Sequence, residues 1–398
     1  MNKKISLGTT LSMLILSVAL TFTITFALTT QHFNYKVNNI NERETLSKKI
    51  QEIDSLIRTN YLEEIDETTL LNSICSGYVS GLQDRYSYYM TAEQYNKMML
   101  SNQGSVVGVG INVEKDSSGY LVVTKVYKDS PAEASDIQLG DIIVKVAGFE
   151  IINMSVTDAS NLISGEAGTK VELVTRRQGV EETKTISRRK ITLESVERRM
   201  IGDYGYIRIL EFNNNSVSQF NDAVNWVRNQ GAKGIIFDVR NNGGGTLLSV
   251  CDMLDLLLPE GPIAYQYNRD DKKQTIARSD SNEILLPMTC LINENTASAA
   301  ELFAAALRDY DKADLVGTVT YGKGVMQTTY KLSDGSGICI TTGYFYPPMS
   351  QNFDGIGVSP DYSVTLTSTE NSMIDALDET TDAQLIKAIE VLSGKTSK

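Results

Sequence analysis

A serine and a lysine, Ser298 and Lys323, lie in two neighbouring segments that read NENTASAAELF and TYGKGVMQ. A serine hydroxyl becomes a nucleophile when a neighbouring base takes its proton, and histidine is the usual base. The only histidine of the 398-residue chain is His32, far from both segments in sequence. A serine hydrolase built on this chain would need another base, and a lysine held neutral by burial can act as one.

Ser298 precedes an apolar run, and Glu301 follows three positions later, which is the capping-box pattern of a helix N-terminus. Capping alone would account for the serine. A helix N-terminus also presents free N–H groups and the positive end of the helix dipole, which stabilise the oxyanion formed when a hydroxyl attacks a carbonyl. The two interpretations are compatible, so this segment by itself leaves both open.

Lys323 lies between two glycines, where the lysine of an ordinary turn would point to water. Apolar neighbours in sequence would instead remove water from its amine: Val316, Val319, Val325 and Met326. Lowering a lysine pKa from ~10.4 to about 7 requires about 4–5 kcal/mol of destabilisation of the ammonium, which burial supplies. Gln327, four positions on, either orients the amine by a hydrogen bond or is an ordinary strand glutamine.

A glycine-rich turn, NNGGGT, follows the run GIIFDVR, which predicts a buried strand. Glycines let the backbone approach a ligand closely and offer N–H groups to an anion. A phosphate-binding loop is not indicated, because no GK[ST] follows the glycines. The turn is therefore either a simple connection or the wall of a binding site.

The elements that must position these residues change in character along the chain. Residues 40–100 carry apolar residues at helical spacing and predict amphipathic helices. Residues 104–190 predict a compact module of short strands, with a helix over VTDASNLIS and a strand over TKVELVTRR. Residues 191–370 alternate strands and helices, which predicts a layered α/β domain, and DAQLIKAIEVLSG predicts a final helix.

The N-terminus contains an uncharged, largely apolar run, ISLGTTLSMLILSVALTFTITFAL, which is long enough to cross a bilayer as a helix. Lys3 and Lys4 precede it, and no charged residue follows until Lys36, which favours a cytoplasmic N-terminus. An A-x-A cleavage site is not evident, so an uncleaved anchor is preferred to a removed signal peptide. In either case residues 36–398 are expected outside the cytoplasm.

The composition of the chain argues against two kinds of binding partner, nucleic acid and metal ions. The net charge of −12 argues against nucleic acid, because phosphate binding needs a basic footprint. The four cysteines form no CxxC pair, and the body of the chain has no histidine, so a metal site is not expected. The cysteines are Cys75, Cys251, Cys290 and Cys339.

Taken in order, the three segments resemble the carboxyl-terminal processing peptidases, also called tail-specific proteases. That family shows a DLRxNPGG-like turn, then SASASE, then GKG-x-x-Q, where this chain reads DVRNNGGG, NTASAAE and GKGVMQ. The resemblance implies Ser298 as nucleophile, Lys323 as base and Gln327 as the group that orients the lysine. It also implies the backbone N–H groups of Gly244 and Ala299 as the oxyanion hole, with no metal or cofactor.

Residues 104–190 resemble a PDZ domain of the kind these proteases insert before the catalytic domain. The segment GVGINV matches the carboxylate-binding loop, which implies Gly108, Val109, Gly110 and Ile111 as the groups that bind a peptide C-terminus. The implied fold is an α/β (α+β) catalytic domain of the crotonase-like, tail-specific protease type, with an inserted PDZ domain and N-terminal helices.

Three positions depart from the family pattern. Gly243 replaces the proline before the glycine pair, and Ala300 replaces the second serine before the glutamate; neither change removes a catalytic group. Ser164 stands where many relatives carry an arginine that couples the PDZ domain to the active site. The way in which this chain would couple the PDZ domain to the active site is therefore left open.

We expect a membrane-anchored, single-pass serine endopeptidase of the cell membrane that cleaves extracytoplasmic proteins at or near C-terminal tails, guided or gated by its PDZ domain. The expected partners are a protein or peptide with a free C-terminus, the membrane and a second copy of the chain, since relatives dimerise through terminal segments. The alternative is a catalytically inactive PDZ scaffold, against which the intact Ser298, Lys323 and Gln327 set argues. The predicted regions are 1–35 (cytoplasmic N-terminus and anchor), 36–102 (N-terminal helices), 103–190 (PDZ domain), 191–375 (peptidase domain) and 376–398 (C-terminal helix).

Overall fold

The computed structural model describes residues 7–396 and divides the chain into two units, Met1–Ser73 and Ile74–Lys398. The first unit contains helix α1 (Leu7–Asn60) and the beginning of α2 (Glu67–Ser80). Arg58 joins the two helices, since its guanidinium donates to the Glu67 carboxylate at 2.9 Å. Within α1, residues Ser12–Thr30 have a mean hydropathy of 2.0 and no buried residue, so this stretch is long and apolar enough to span a membrane.

The second unit begins with β1 (Tyr88–Met90), α3 (Ala92–Asn102) and β2 (Ser105–Gly108). A compact module follows, made of an antiparallel sheet and two covering helices. Its members are β3 (Ile111–Lys115), β4 (Leu121–Val126), α4 (Pro131–Ala134), β5 (Ile142–Val146), β6 (Phe149–Glu150), α5 (Val156–Ile163), β7 (Lys170–Arg177) and β8 (Val180–Ser187).

The strand order in this sheet is β3-β4-β5-β7-β8, with the short β6 paired to β5, so β3 lies at an edge. Helix α5 begins at Ser155, whose hydroxyl accepts from the Asp158 N–H, and its apolar residues Ala159 and Ile163 are buried in the core of the module. The predicted helix over VTDASNLIS and the predicted strand over TKVELVTRR are both confirmed.

The remaining residues form the α/β body that the alternating pattern predicted. Its elements are β9 (Arg189–Thr192), β10 (Val196–Ile201), β11 (Tyr204–Ile209), α6 (Asn214–Asn229), β12 (Gly234–Asp238), α7 (Leu247–Asp255), β13 (Gly261–Asn268), β14 (Lys273–Ser279), β15 (Met288–Ile292), α8 (Ala299–Asp309), β16 (Ala313–Gly317), β17 (Val325–Lys331), β18 (Gly337–Tyr346), β19 (Tyr362–Ser363), α9 (Ser368–Ser372), a 3₁₀ turn (Ile374–Ala376) and α10 (Ala383–Thr396).

Two larger sheets organise this body, while β9 pairs with β2 in a separate two-stranded sheet. The first has the order β10-β11-β12-β15-β16-β19 and is parallel apart from β10. Strands β12 and β15 are buried along their whole length, as expected of parallel strands covered on both faces. The glycine turn follows β12 and the serine segment follows β15, so both candidate segments leave the same edge of the sheet.

The second sheet is antiparallel and was not expected from the alternating strand and helix pattern. Its order is β1-β18-β13-β14, with β17 also paired to β18. Strand β1 comes from the chain that precedes the compact module, and it pairs Tyr88 with Cys339. The region 36–102, predicted to be helical, therefore also supplies a strand to the sheet that carries the lysine segment.

Helix α8 is buried from Ala299 to Leu307. Small alanines on most of its faces let neighbouring elements approach closely, and an all-round apolar surface is typical of a helix inside a core. Phe303 contacts Phe237 edge-on, with ring centroids 5.5 Å apart. On the opposite face of the parallel sheet, α10 is held by a buried ion pair in which Arg240 lies 2.8 Å from Asp382.

Candidate active site

Ser298 has a backbone conformation that distinguishes it from ordinary helix caps. It begins α8 with φ 58° and ψ −117°. Ser130, Ser155 and Thr91 also begin helices, and all three have the extended backbone of an ordinary N-cap. A non-glycine residue at positive φ carries about 1–3 kcal/mol of strain and is concentrated at functional sites. A sharp, strained turn from a strand into a helix is also how nucleophilic serines are presented in hydrolases, and capping alone does not require this geometry.

Glu301 joins the serine segment to the lysine segment. Its carboxylate is fully buried and accepts four hydrogen bonds. Oε2 accepts the backbone N–H groups of Ser298 (2.7 Å) and Lys323 (2.8 Å), so the two nitrogens share one acceptor atom. Oε1 accepts the Thr320 hydroxyl (2.5 Å) and the Gly322 N–H (2.6 Å). The structure therefore brings Ser298 and Lys323 together through one carboxylate.

The Lys323 side chain is partly buried, and its Nζ lies 4.8 Å from the centre of the Tyr86 ring. Burial lowers the pKa of Lys323 below its ordinary value, because desolvation penalises the ammonium. The neighbouring Cys339, Asp84 and Glu301 act in the opposite direction, and Arg85 assists the lowering. The net effect is a lower pKa, which increases the share of the neutral amine, the form that can accept a proton.

Gln327 lies on β17, directly after a break in the register with β18. The register shifts between Met326, which pairs with Gly343, and Gln327, which pairs with Thr341. Such bulges redirect a side chain and are frequent beside active sites. The Gln327 amide Nε2 donates to the Thr341 hydroxyl at 3.1 Å.

The two backbone donors predicted for an oxyanion hole lie side by side but differ in availability. A Cβ on Gly244 would lie 2.8 Å from the Ala297 carbonyl oxygen and 3.0 Å from the Ala299 nitrogen, so only glycine allows this approach. The Ala299 N–H opens α8 and has no intrahelical acceptor. The Gly244 N–H donates to Asn242 Oδ1 at 2.8 Å and thus already has a partner.

The predicted carboxylate-binding loop connects β2 with β3. Val109 is buried in the core of the module, and Gly110 has φ 89°. The loop is closed by the Ala132 N–H, which donates to the Val109 carbonyl, and by the Tyr127 N–H, which donates to the Gly110 carbonyl. Beyond it, β3 packs against α5 and leaves its outer edge unpaired among the described strands, which is the arrangement that accepts an added peptide strand.

Sequence reasoning missed the contribution of the segment before β1. The Tyr86 ring lies against Lys323 Nζ, and Asp84 accepts a hydrogen bond from the Thr341 hydroxyl at 2.6 Å. The whole compact module separates these partners along the chain, so no local pattern could pair them. Glu301 was recognised only as a capping residue, and its bonds to the lysine segment were not foreseen.

No group of three or more His, Cys, Asp or Glu side chains within residues 7–396 is arranged to hold a metal ion. The arrangement of a strained serine, a partly desolvated lysine and a helix N-terminus is instead suited to acyl transfer by a hydroxyl nucleophile.

Similarity to known proteins decides the family. The chain is 32% identical over 337 residues to the "Probable CtpA-like serine protease" of Staphylococcus aureus strain MSSA476, covering 83% of this chain and 67% of that protein. The homologue of the same name in Staphylococcus epidermidis is 31% identical over 359 residues, covering 89% of this chain and 72% of that protein. The chain belongs to peptidase family S41. The profile of that family matches residues 203–364, a PDZ domain profile matches 122–177, and a profile of the activating protease CtpB N-terminal domain matches 14–94.

A solved structure agrees with this fold. A crystal structure described as an S41 protease from Bacteroides fragilis NCTC 9343 aligns with a TM-score of 0.54 at 18% identity, covering 86% of this chain and 97% of that one. The photosystem II D1 C-terminal processing protease aligns at 29% identity with a TM-score of 0.48, covering 79% and 86%. This S41 chain is a serine peptidase with a PDZ domain, and the relatives give no support to a scaffold without catalysis.

Proposed function

We propose that this S41 peptidase is a membrane-anchored endopeptidase that cleaves extracytoplasmic proteins at or near their C-terminal tails. The observation that carries the proposal is the tie between the strained Ser298 and the partly desolvated Lys323 through the buried carboxylate of Glu301. The apolar stretch Ser12–Thr30 is the proposed membrane anchor. The division of the chain into five regions and the homodimer remain predictions from the sequence.

The proposed reaction begins with neutral Lys323. Its amine takes the proton of the Ser298 hydroxyl while the serine oxygen attacks the scissile carbonyl carbon, which gives a tetrahedral oxyanion. Collapse breaks the C–N bond, the ammonium of Lys323 gives its proton to the leaving amine, and an acyl-enzyme remains. Water then attacks the ester with Lys323 again as base, which releases the new C-terminus and restores the serine.

We assign the oxyanion first to the Ala299 N–H, which is the free donor at the start of α8. Gly244 is the second donor in this proposal, and it must exchange its bond with Asn242 for one with the oxyanion. Gln327 is proposed to orient Lys323, because its amide is fixed on one side by Thr341.

The PDZ domain is proposed to bind the substrate C-terminus at Gly108, Val109, Gly110 and Ile111, with the peptide added along β3. Arg188 supports a coupling of this groove to the peptidase body. Its guanidinium donates to the Leu162 carbonyl (2.7 Å) and the Ile163 carbonyl (2.8 Å) at the end of α5, and the next residues form β9, which leads into the body. Arg188 therefore offers a link where Ser164 replaces the usual arginine.

The full chain in detergent tests the proposal. Two peptides of the same sequence, one with a free and one with an amidated C-terminus, are incubated with the protein and with its Ser298→Ala and Lys323→Ala variants. The proposal predicts cleavage that both variants lose, with a higher KM for the amidated peptide. Cleavage that survives in either variant contradicts the dyad, and equal KM values contradict C-terminal recognition.

A further inference from the structure

Asp84 lies in the short segment between α2 and β1 and reaches the second sheet. Its Oδ2 accepts hydrogen bonds from the hydroxyls of Ser87 (2.5 Å) and Thr341 (2.6 Å), and its Oδ1 accepts one from the Tyr86 N–H (3.1 Å). Ser87 in turn accepts the Thr341 backbone N–H at 3.1 Å. The carboxylate therefore docks the segment onto β18 at the residue that also holds Gln327.

The direction of these bonds follows from what each group can donate. An ionised carboxylate only accepts, so the single hydroxyl proton of Thr341 is committed to Asp84. The Thr341 oxygen is then left as an acceptor towards Gln327, and only the NH₂ side of an amide can donate to it. The carbonyl side of the Gln327 amide consequently faces away from Thr341 and is available to accept from an ammonium or from water.

The ionised state of Asp84 is what fixes this direction. Burial by itself would raise the pKa of Asp84, but the hydroxyl bonds from Ser87 and Thr341, the Tyr86 N–H and the charge of Lys323 outweigh burial and hold the pKa below its usual value. Asp84 is therefore a carboxylate at neutral pH, and its charge-assisted hydrogen bond with the Thr341 hydroxyl is stronger than a bond to a neutral acceptor.

We propose that Asp84 is a positioning residue of this protease, which sets the orientation of the Gln327 amide through Thr341 and stabilises the ammonium of Lys323 by its charge. This inference rests on the proposed function, in which Lys323 is the base and Gln327 orients it. It assigns a role in the active site to a residue that lies before the PDZ domain in the chain.

Several neighbours besides Asp84 affect the protonation of Lys323. Burial has the largest effect and, with Arg85, favours the neutral amine, whereas Cys339 on β18, Asp84 and Glu301 on α8 favour the ammonium. The Tyr86 ring lies against the ammonium as well. Removing the Asp84 charge with the other groups unchanged shifts the balance towards the neutral amine, so activity extends to lower pH.

The test measures kcat and KM of the full chain between pH 5 and 10 for Asp84→Asn, Thr341→Val and Thr341→Ser. Asp84→Asn is expected to move the acidic limb of the kcat/KM profile to lower pH, because it removes an opposite charge that favours the ammonium of Lys323. Thr341→Val keeps the charge of Asp84 but removes the hydroxyl that holds the Gln327 amide. We therefore expect kcat to fall about tenfold, while the acidic limb of the pH profile stays nearly in place. Thr341→Ser restores kcat, because serine supplies the same hydroxyl.

Thr328→Val is the matched control. Thr328 shares a 2.7 Å hydroxyl bond with Thr342 across the same two strands, and neither hydroxyl bonds to Gln327 or Asp84. Wild-type kcat is expected for this variant. If Asp84→Asn does not fold, the Thr341→Val and Thr341→Ser pair decides the positioning role by itself.

An unmoved acidic limb in folded Asp84→Asn, or a wild-type kcat in Thr341→Val, overturns the inference. Either result would come from a wild-type enzyme that is active and loses activity on Ser298→Ala, so it leaves the proposed function intact. A wild-type protein with no Ser298-dependent cleavage overturns the proposed function, and this inference with it.

Discussion

The buried carboxylate of Glu301 gives the sharpest prediction, because four donors converge on it. Glu301→Gln keeps the shape of the side chain and replaces one acceptor oxygen by an NH₂ group. If NH₂ takes the position of Oε2, the backbone N–H groups of Ser298 and Lys323 both lose their acceptor. If it takes the position of Oε1, the Thr320 hydroxyl can turn to accept, and only the Gly322 N–H is left without an acceptor.

The orientation with NH₂ at the position of Oε1 costs less, so it determines the expected loss of stability. One buried N–H without an acceptor costs about 1–3 kcal/mol, and the remaining bonds lose their charge-assisted strength, at about 1 kcal/mol between them. We therefore expect Glu301→Gln to lower the free energy of unfolding by about 3 kcal/mol. Displacement of the chain at Gly322 moves the neighbouring Lys323 from Ser298, and a shift of about 1 Å lowers kcat roughly 100-fold.

The assays are guanidinium unfolding and peptide cleavage kinetics on the same preparation. Glu294→Gln is the matched control, since Glu294 is an exposed carboxylate on the loop before Ser298 that accepts the Thr318 hydroxyl at 2.9 Å. The free energy of unfolding of Glu294→Gln should remain within about 0.5 kcal/mol of the wild-type value, and the variant should keep full activity. Glu301→Gln with wild-type kcat would refute the view that this carboxylate positions the two catalytic residues.

Four further predictions concern activity, stability and pH. Cleavage should increase with pH as Lys323 loses its proton, and a pH–rate profile that falls between pH 6 and 9 would contradict a lysine base. Because the folded-state pKa of Lys323 is depressed, the unfolded chain binds more protons between the two pKa values, so stability rises with pH in that window; Lys323→Met should remove this slope in unfolding measured across pH. Ser298→Gly should be about 1 kcal/mol more stable than Ser298→Ala in guanidinium unfolding, since glycine tolerates the positive φ; equal stabilities would argue against strain. Arg240→Met should cost roughly 3–5 kcal/mol because it leaves Asp238 and Asp382 as buried unpaired charges, and a loss below about 1 kcal/mol in the same assay would contradict that role.

Local sequence signals predicted the elements that carry the chemistry. The turn after GIIFDVR, the helix that starts at Ser298 and the helix and strand of the PDZ domain all have a pattern within a short window. The resemblance to the family rested on the order of three such segments. Each of these signals depends only on neighbouring residues, which is why they could be recognised without a structure.

The features of the fold and the site that were not predicted depend on contacts between distant parts of the chain. The pairing of β1 with β18 joins segments on either side of the PDZ domain, and β1 is too short for a periodic signal. The positive φ of Ser298 has no signature in residue type, since serine also begins ordinary helices here. The approach of Asp84 to Thr341 exists only after the second sheet has formed.

The most direct test of a Ser298–Lys323 dyad is the rate of peptide cleavage by the wild type, Ser298→Ala and Lys323→Ala, with Thr328→Val as a folded control on the same strands. The account predicts that each of the two catalytic variants remains folded at the assay temperature and loses at least about 10³-fold in kcat, the scale on which removal of a nucleophile or base acts. It also predicts that the double variant is no slower than either single variant, because the two residues act as a unit. Substantial cleavage by either single variant would contradict the account.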